Sequence, residues 1–330
     1  MRKFLLTPVF LAVSLLVIAA FVTQVEAFPT KPIVLVVNFS PGGGTDYEAR
    51  VMARALPKYL GVPVIVQNHP GGGGTIGASR VYRSKPDGYT LLTSTMPHFL
   101  VLPEMIRGAK IPYQVDKFEW LGKATGNPLV MVVSTKSPIR SFKDFVKVAQ
   151  KKRIHFGAGT VSSVSYAPTI LLGERLGLKL KGVLGYKGAA PIAVAVVQGE
   201  LDFGVLAPAT WHPYVSGGDV RGILVMGTEK VPAVFPGVPT AFELGYPAVA
   251  SLGMTYRMYA APPGTPKDRL KILAEAIGRA AKDPAFVKAM GKAGLTVSPS
   301  GPEGARKLLD EAKEQFKRYW DVLKPLLAPR

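Results

Sequence analysis

The sequence predicts an α/β fold with a buried parallel sheet, on three observations. Short apolar runs rich in β-branched residues, such as Ile33-Val34-Leu35-Val36-Val37, are continuous rather than alternating, as in strands covered on both faces. Each run empties into a glycine loop. Each loop then opens a segment whose apolar residues recur at helical spacing, and this order of strand, loop and helix occurs twice before residue 83. With 48% hydrophobic and 19% charged residues, 330 residues can bury about two domains' cores, which excludes a disordered chain.

The first segment stands apart. Arg2 and Lys3 precede an apolar run from Phe4 to Val22, and Val25-Glu26-Ala27 ends it with a small residue. Residues 1–27 read as a secretory signal peptide, cleaved after Ala27. The competing reading is an uncleaved membrane anchor, since the run approaches the roughly 20 residues that span a bilayer. The flanks favour cleavage, and no later stretch reaches spanning length, so a soluble exported chain is expected.

The elements follow in order. Ile33–Val37 is a strand, and Ser40 to Asp46 a glycine loop. A helix follows with Thr45 as expected N-cap and Asp46 in its first turn, and Pro57 should kink or end it. Val62–Val66 is a second strand, leading through Asn68-His69-Pro70 and four glycines to a helix over Thr75–Tyr82. Leu129–Val133 is a strand, and Ser141 with Asp144 starts a capped helix through Lys151. A loop of small residues, 157–165, then precedes a helix over Tyr166–Leu176. Val183-Leu184, the Ala189–Val197 stretch and the apolar run Leu201–Leu206 repeat the unit. After Pro262-Pro263-Gly264, three amphipathic helices close the chain. The second has Asp283 and Pro284 at its start, and the third has a capping box at Ser300–Glu303 with a stripe of Leu309, Ala312, Phe316 and Leu323.

Composition excludes several chemistries. There is no cysteine, hence no disulfide scaffold, thiolate nucleophile or Cys-ligated metal. The net charge of +19 admits nucleic acid, an anionic membrane surface or an anionic small ligand as partner. Its distribution argues against nucleic acid, because the densest basic run is only Lys151-Lys152-Arg153. The four histidines are isolated, G-x-S-x-G is absent, and no cofactor or metal is expected. Gly72-Gly73-Gly74-Thr75-Ile76-Gly77 matches G-x-G-x-x-G and raises a Rossmann-like enzyme. No acidic residue lies between Asp87 and Glu104, where the fingerprint wants one, so the match is weak. The stronger chemical signal is the pair of loops at 40–46 and 157–165. Glycines admit close approach to the backbone, unpaired helix-start amides attract anions, and serine and threonine hydroxyls add donors.

A run of local motifs sharpens this reading. Pro32 to Val37 continuing into Pro41-Gly42-Gly43-Gly44-Thr45-Asp46 and Ala49-Arg50, then Leu60-Gly61-Val62-Pro63-Val64, and Pro86-Asp87-Gly88-Tyr89-Thr90-Leu91-Leu92 stand in order. They are followed by Tyr186-Lys187-Gly188, Gly199-Glu200-Leu201-Asp202, Val238-Pro239-Thr240 and Ala261-Pro262 with Gly264-Thr265-Pro266. Together they resemble the Bug-type periplasmic receptors of tripartite tricarboxylate transporters, over essentially the whole chain after residue 27.

The resemblance implies a two-lobed periplasmic-binding-protein fold, the type II Venus flytrap, with a ligand cleft between lobes. Residues 28–125 and 251–330 would form the first, discontinuous lobe, and 126–250 the second. It implies no catalysis. A monomer in the periplasm would capture a small organic carboxylate and deliver it to the large and small membrane subunits of a transporter. A receptor serving a sensor kinase is the alternative. Carried onto this sequence, the ligand-binding residues are Ser40, Gly42, Gly43, Gly44, Thr45 and Asp46 in the first loop and Gly159, Thr160, Val161, Ser162 and Ser163 in the second. Thr93, Ser94 and Asp202 rank behind them. The resemblance implies that loop amides, hydroxyls and waters hold the ligand rather than an arginine clamp. Tyr166 stands where the family commonly has histidine.

Overall fold

The computed structural model describes residues 27–327 apart from 97, 108 and 109, so most of the expected signal peptide lies outside the described residues. Strand β1 (Ile33–Val37) pairs in parallel with β2 (Val64–Asn68) on one side and β3 (Thr90–Met96) on the other. Between them run α1 (Gly44–Ala55), the short α2 (Pro57–Leu60) and α3 (Thr75–Tyr82). β1 is covered on both faces. Ile33, Leu35 and Val37 pack with Met52 of α1, while Val36 packs with Ala78 and Val81 of α3. The chain therefore switches sides of β1 between β2 and β3, and the crevice lies beyond the carboxyl ends of these strands, where α/β sheets bind ligands.

After α4 (His98–Arg107) comes the longest strand, β4 (Glu119–Ser134), which joins two halves of the molecule. Its first part pairs with β9 (Met254–Ala261) and β10 (Thr296–Ser300), and β9 continues the sheet to β3. Its last part, Leu129 to Ser134, pairs with β7 (Gly204–Leu206) and β8 (Val220–Met226). The second half also holds α5 (Phe142–Lys151), β5 (Ile154–Gly157) parallel to β6 (Leu180–Val183), and α6 (Tyr166–Leu176). It is completed by α7 (Ala189–Gln198), α8 (Pro208–Ser216) and α9 (Pro247–Leu252). Alternation along β4 feeds two cores: Val130 and Val132 meet Ile192, Val196 and Trp211, whereas Met131 and Val133 share a core with Phe145 and Phe203.

α10 (Lys267–Ala281), α11 (Pro284–Lys292), α12 (Pro302–Arg318) and α13 (Trp320–Leu327) close the chain. Among the described residues no helix is long and apolar enough to cross a membrane.

Three local expectations need correcting. α1 begins at Gly44 with Gly43 as its N-cap, so Thr45 lies inside the first turn, and its hydroxyl meets Thr95 Oγ1 at 2.6 Å. Ser300 pairs with Lys123 as the end of β10, and α12 starts at Pro302 with no side-chain cap. The stripe that was to run to Leu323 breaks at Tyr319, placing Leu323 on a separate helix. The Asp283 cap of α11 and the Ser141 cap of α5 are present as expected.

Candidate functional site

Between the halves lies a cavity of ≈ 280 Å³, at the small end of ligand sites. Loops at strand carboxyl ends wall it. From the first half come Gly43–Thr45 after β1, Gly71–Gly74 after β2, and Thr95 near the end of β3. From the second come Gly159, Thr160 and Ser163–Ser165 after β5, Gly185–Gly188 after β6, and Ala207 after β7. Arg257 and Thr255 of β9 form part of the lining.

The first wall is bare backbone pinned from behind. Asp46 turns away from the cavity: its carboxylate accepts from Gly42 N at 2.9 Å, Arg50 Nε at 3.0 Å and Asn68 Nδ2 at 2.9 Å. Burial pushes the Asp46 carboxyl up, but these donors and the Arg50 charge outweigh it and hold its pKa below the ordinary value. Gly42, at φ +84°, needs its glycine for the turn so fixed. Gly44 N donates to Thr210 Oγ1 across the cleft at 3.1 Å. Behind the second glycine loop, Asn38 Nδ2 donates to Gly74 O and to Ser94 Oγ, both at 3.1 Å.

The opposite wall satisfies itself. Ser163 Oγ accepts from the amides of Gly159 and Thr160 at 3.1 and 3.0 Å, and Thr160 Oγ1 lies 2.8 Å from Ser162 Oγ. Two of the amides offered to a ligand by the sequence reading are therefore already engaged. The walls touch at the rim, where Ser40 Oγ donates to Lys187 O at 2.5 Å.

Of the residues expected at the site, Gly43, Gly44, Thr45, Gly159, Thr160 and Ser163 line the cavity. The others do not line it, for identifiable reasons. Ser40 and Gly42 are engaged at the rim and in the turn. Ser94 and Thr93 are buried in β3, the latter opposite Tyr259. Val161 packs against the core and Ser162 on Thr160. Asp202 accepts from His155 N at 2.8 Å, outside the cavity lining. Tyr166 does not line it either; its ring packs on Phe156 at 5.5 Å between centroids.

Sequence reasoning missed Gly71–Gly74 as a wall, and it missed Arg257. The glycines were visible but drew attention as a dinucleotide fingerprint. Arg257 is a single cation in the otherwise uncharged run Met254–Ala261, which is the signal that could have found it. Beneath α1 it joins a buried polar cluster. Its Nε lies 3.8 Å from Glu48 Oε2 and its Nη1 donates to Asn127 Oδ1. Glu48 accepts from Thr125 Oγ1 and, at 2.8 Å, from Tyr259 Oη. Burial drives the Glu48 carboxyl above its ordinary pKa against the pull of Arg257, and burial beside Glu48 drives the Tyr259 phenol well up.

Residues 48–324 match the family described as tripartite tricarboxylate transporter family receptor. The chain belongs to this family. The receptor is 31% identical over 302 residues to the protein BugT of Bordetella pertussis, covering 91% of this chain and 90% of that one. Its fold is similar to that of the periplasmic binding protein BugD, at 27% identity and a TM-score of 0.80 over 88% of this chain and 98% of that one. MatC from Rhodopseudomonas palustris with bound malate is likewise similar, at 27% identity and a TM-score of 0.78, over 90% and 100%. The fold is thus the two-lobed periplasmic-binding type, and the protein is a solute-binding receptor, not an enzyme. The Rossmann-like enzyme reading of Gly72–Gly77 falls with this. Gly77 serves packing instead, since a Cβ there would stand 2.7 Å from both Asn38 Cβ and His69 O.

Proposed function

We propose that this receptor works in the periplasm, after export by a cleaved signal peptide, as a monomer that captures a small organic carboxylate. It delivers the solute to the large and small membrane subunits of a tripartite tricarboxylate transporter. The observation that carries the ligand class is the charge of the cavity lining: among the described residues its charged side chains are Arg257 and Lys187, and no aspartate or glutamate lines it. A small anion fits such a lining and a cation does not. Malate bound to MatC, a relative in the same fold, supports the same class.

In this reading residues 28–125 and 251–330 are one lobe and 126–250 the other, and β4 and β9 carry the crossing between them. The change of β4's partners after Pro128 and the start of β9 at Met254 support those boundaries. Gly43, Gly44, Thr45, Gly159, Thr160 and Ser163 contact the solute from the two sides. The test is calorimetry on protein refolded from denaturant, which strips carried solute, using succinate, malate and adipate beside their monoamides. At least one acid is expected to bind and raise the melting temperature, by mass action. The matching amide should bind at least about tenfold worse, because a charge-assisted hydrogen bond is roughly twice a neutral one. Equal binding of acid and amide, or no binding by any acid, would refute the proposal.

A further inference from the structure

We infer that the solute is a monocarboxylic acid with an apolar body, a short hydrocarbon chain or a single ring, and that this body seats against side chains of the second half. The inference rests on the carboxylate reading above and narrows it to what the rest of the acid is made of.

The hydrophobic cores come to the surface in the cavity. Leu129 and Val164 belong to the core shared by both halves, Ile192 and Leu206 to the core around Trp211, and Phe39 to the core that holds Met52. All five line the cavity. Four of them come from the second half: from β4, the loop after β5, α7 and β7.

The polar side chains beside them are engaged with the protein. Thr45 and Thr95 meet through their hydroxyls at 2.6 Å, and Thr255 Oγ1 donates to Asn127 O at 3.0 Å. Thr210 Oγ1 accepts from Gly44 N, and Ser163 Oγ accepts from two amides. A hydroxy-diacid such as malate brings a hydroxyl and a second carboxylate, and polar groups buried without new partners cost affinity. A hydrocarbon body asks for no partner and gains by leaving water.

The charges agree. Arg257 is answered within the protein by the buried Glu48, whose Oε2 lies 3.8 Å from its Nε. Lys187, exposed at the rim, has no acid paired with it among the described residues. One unbalanced cation suits one carboxylate, and a second would lie against Leu129, Ile192 or Leu206 with nothing to offset its lost hydration. The cavity of ≈ 280 Å³ sets the size of the body, a short chain or one ring.

The experiment is calorimetric titration of butyrate and hexanoate beside succinate, adipate and malate, with hexanamide as the neutral control. Hexanoate is expected to bind at least about tenfold more tightly than malate or adipate, the latter differing from it in its second carboxylate. It should also exceed butyrate by about tenfold, the worth of two more buried methylenes. Its heat-capacity change on binding should be more negative than succinate's, as apolar burial requires. Val164→Thr, which nearly keeps the shape, and Ile192→Thr should each weaken hexanoate several-fold and leave succinate within about twofold. Should either variant fail to fold, the wild-type series decides by itself. Succinate, adipate or malate binding as tightly as hexanoate overturns the inference and leaves the carboxylate reading standing. Equal binding of hexanoate and hexanamide, or no binding of any acid, overturns it together with the carboxylate reading.

Discussion

The two walls of the cavity are built on the same plan, a loop at the carboxyl end of a parallel strand followed by a helix, and they differ in what they leave open. On the first wall, side chains behind the loops hold them in place: Asp46 accepts from Gly42 N, and Asn38 donates to Gly74 O. The faces toward the cavity are glycine backbone, with the Arg257 guanidinium beneath Gly44. On the second wall the loop holds itself, because Ser163 takes the amides that would otherwise face the ligand. The first wall also spends amides on its own structure, Gly42 N on Asp46 and Gly44 N on Thr210, but its second glycine loop is held by Asn38 from another strand. The second wall contributes shape, a few hydroxyls and Lys187. The comparison predicts that mutations on the first wall, where glycine backbone forms most of the cavity face, change affinity more.

The largest effect is expected at Gly44. Its replacement by alanine would put a Cβ 2.6 Å from Arg257 Nη2 and 3.1 Å from Ala207 Cβ, displacing the guanidinium and propping the walls apart. Gly44→Ala should cost about 1.5–3 kcal/mol of binding, the scale of losing a charged hydrogen bond, and should also lower the apo melting temperature, because the displaced guanidinium belongs to the buried cluster with Glu48 and Asn127. Near wild-type affinity for malate by calorimetry would break the comparison.

Next comes Gly73, where the walls nearly touch. A Cβ there would stand 2.6 Å from Thr160 Oγ1, and φ of +67° strains any side chain by about 1–2 kcal/mol. Gly73→Ala should weaken both fold and binding. Adding Thr160→Ala removes the colliding Oγ1 and leaves Thr160 Cβ at 3.4 Å, so it should recover binding but not the lost stability. A double-mutant cycle with no such coupling would show that the walls do not close at this point.

The same contrast explains what was legible in the sequence. Buried apolar strands such as β1, and helices with caps such as Ser141 and Asp283, announce themselves because local pattern and tertiary role coincide. The glycines of both first-wall loops were visible for the same reason. β9 and the first part of β4 were not read as strands. They carry Arg257, Thr125 and Asn127 into the interior, and polar residues break the apolar run by which a buried strand is recognised. Of the groups that hid these strands, Arg257 reaches the cavity lining. Thr45 misled for a related reason: a hydroxyl before a helix suggests a cap, but Thr95, fifty residues away, binds it.

Asp46 tests the pinning of the first loop, with an intermediate effect. Its pKa is depressed in the folded state, so the stability it contributes is present above the ordinary carboxylate value and lost as pH falls through the lower folded value. Acid denaturation below about pH 4 should therefore be shallower in Asp46→Asn than in wild type. At neutral pH the variant should lose about 1–2 kcal/mol, because hydrogen bonds to a charged group weaken to neutral ones. Urea melts at pH 7 and pH 3 check both statements, and a stability difference that grows on acidification would contradict the assignment.

The smallest effect belongs to the second wall. Thr160 lines the cavity, but its hydroxyl already meets Ser162 Oγ at 2.8 Å and accepts from Ser162 N at 3.3 Å. Thr160→Ala removes bonds within the loop and at most one to the solute, so it should cost below about 1 kcal/mol of binding. Ser163→Ala should instead cost stability, because it leaves the amides of Gly159 and Thr160 without their acceptor. Those freed amides would then face the cavity as donors, and part of the lost order would be offset by a new attraction for a carboxylate. The expected signature is a lower apo melting temperature with affinity for malate close to wild type. If Thr160→Ala alone abolished binding, its hydroxyl would serve the solute rather than the loop, and the expected ranking of the two walls would be reversed.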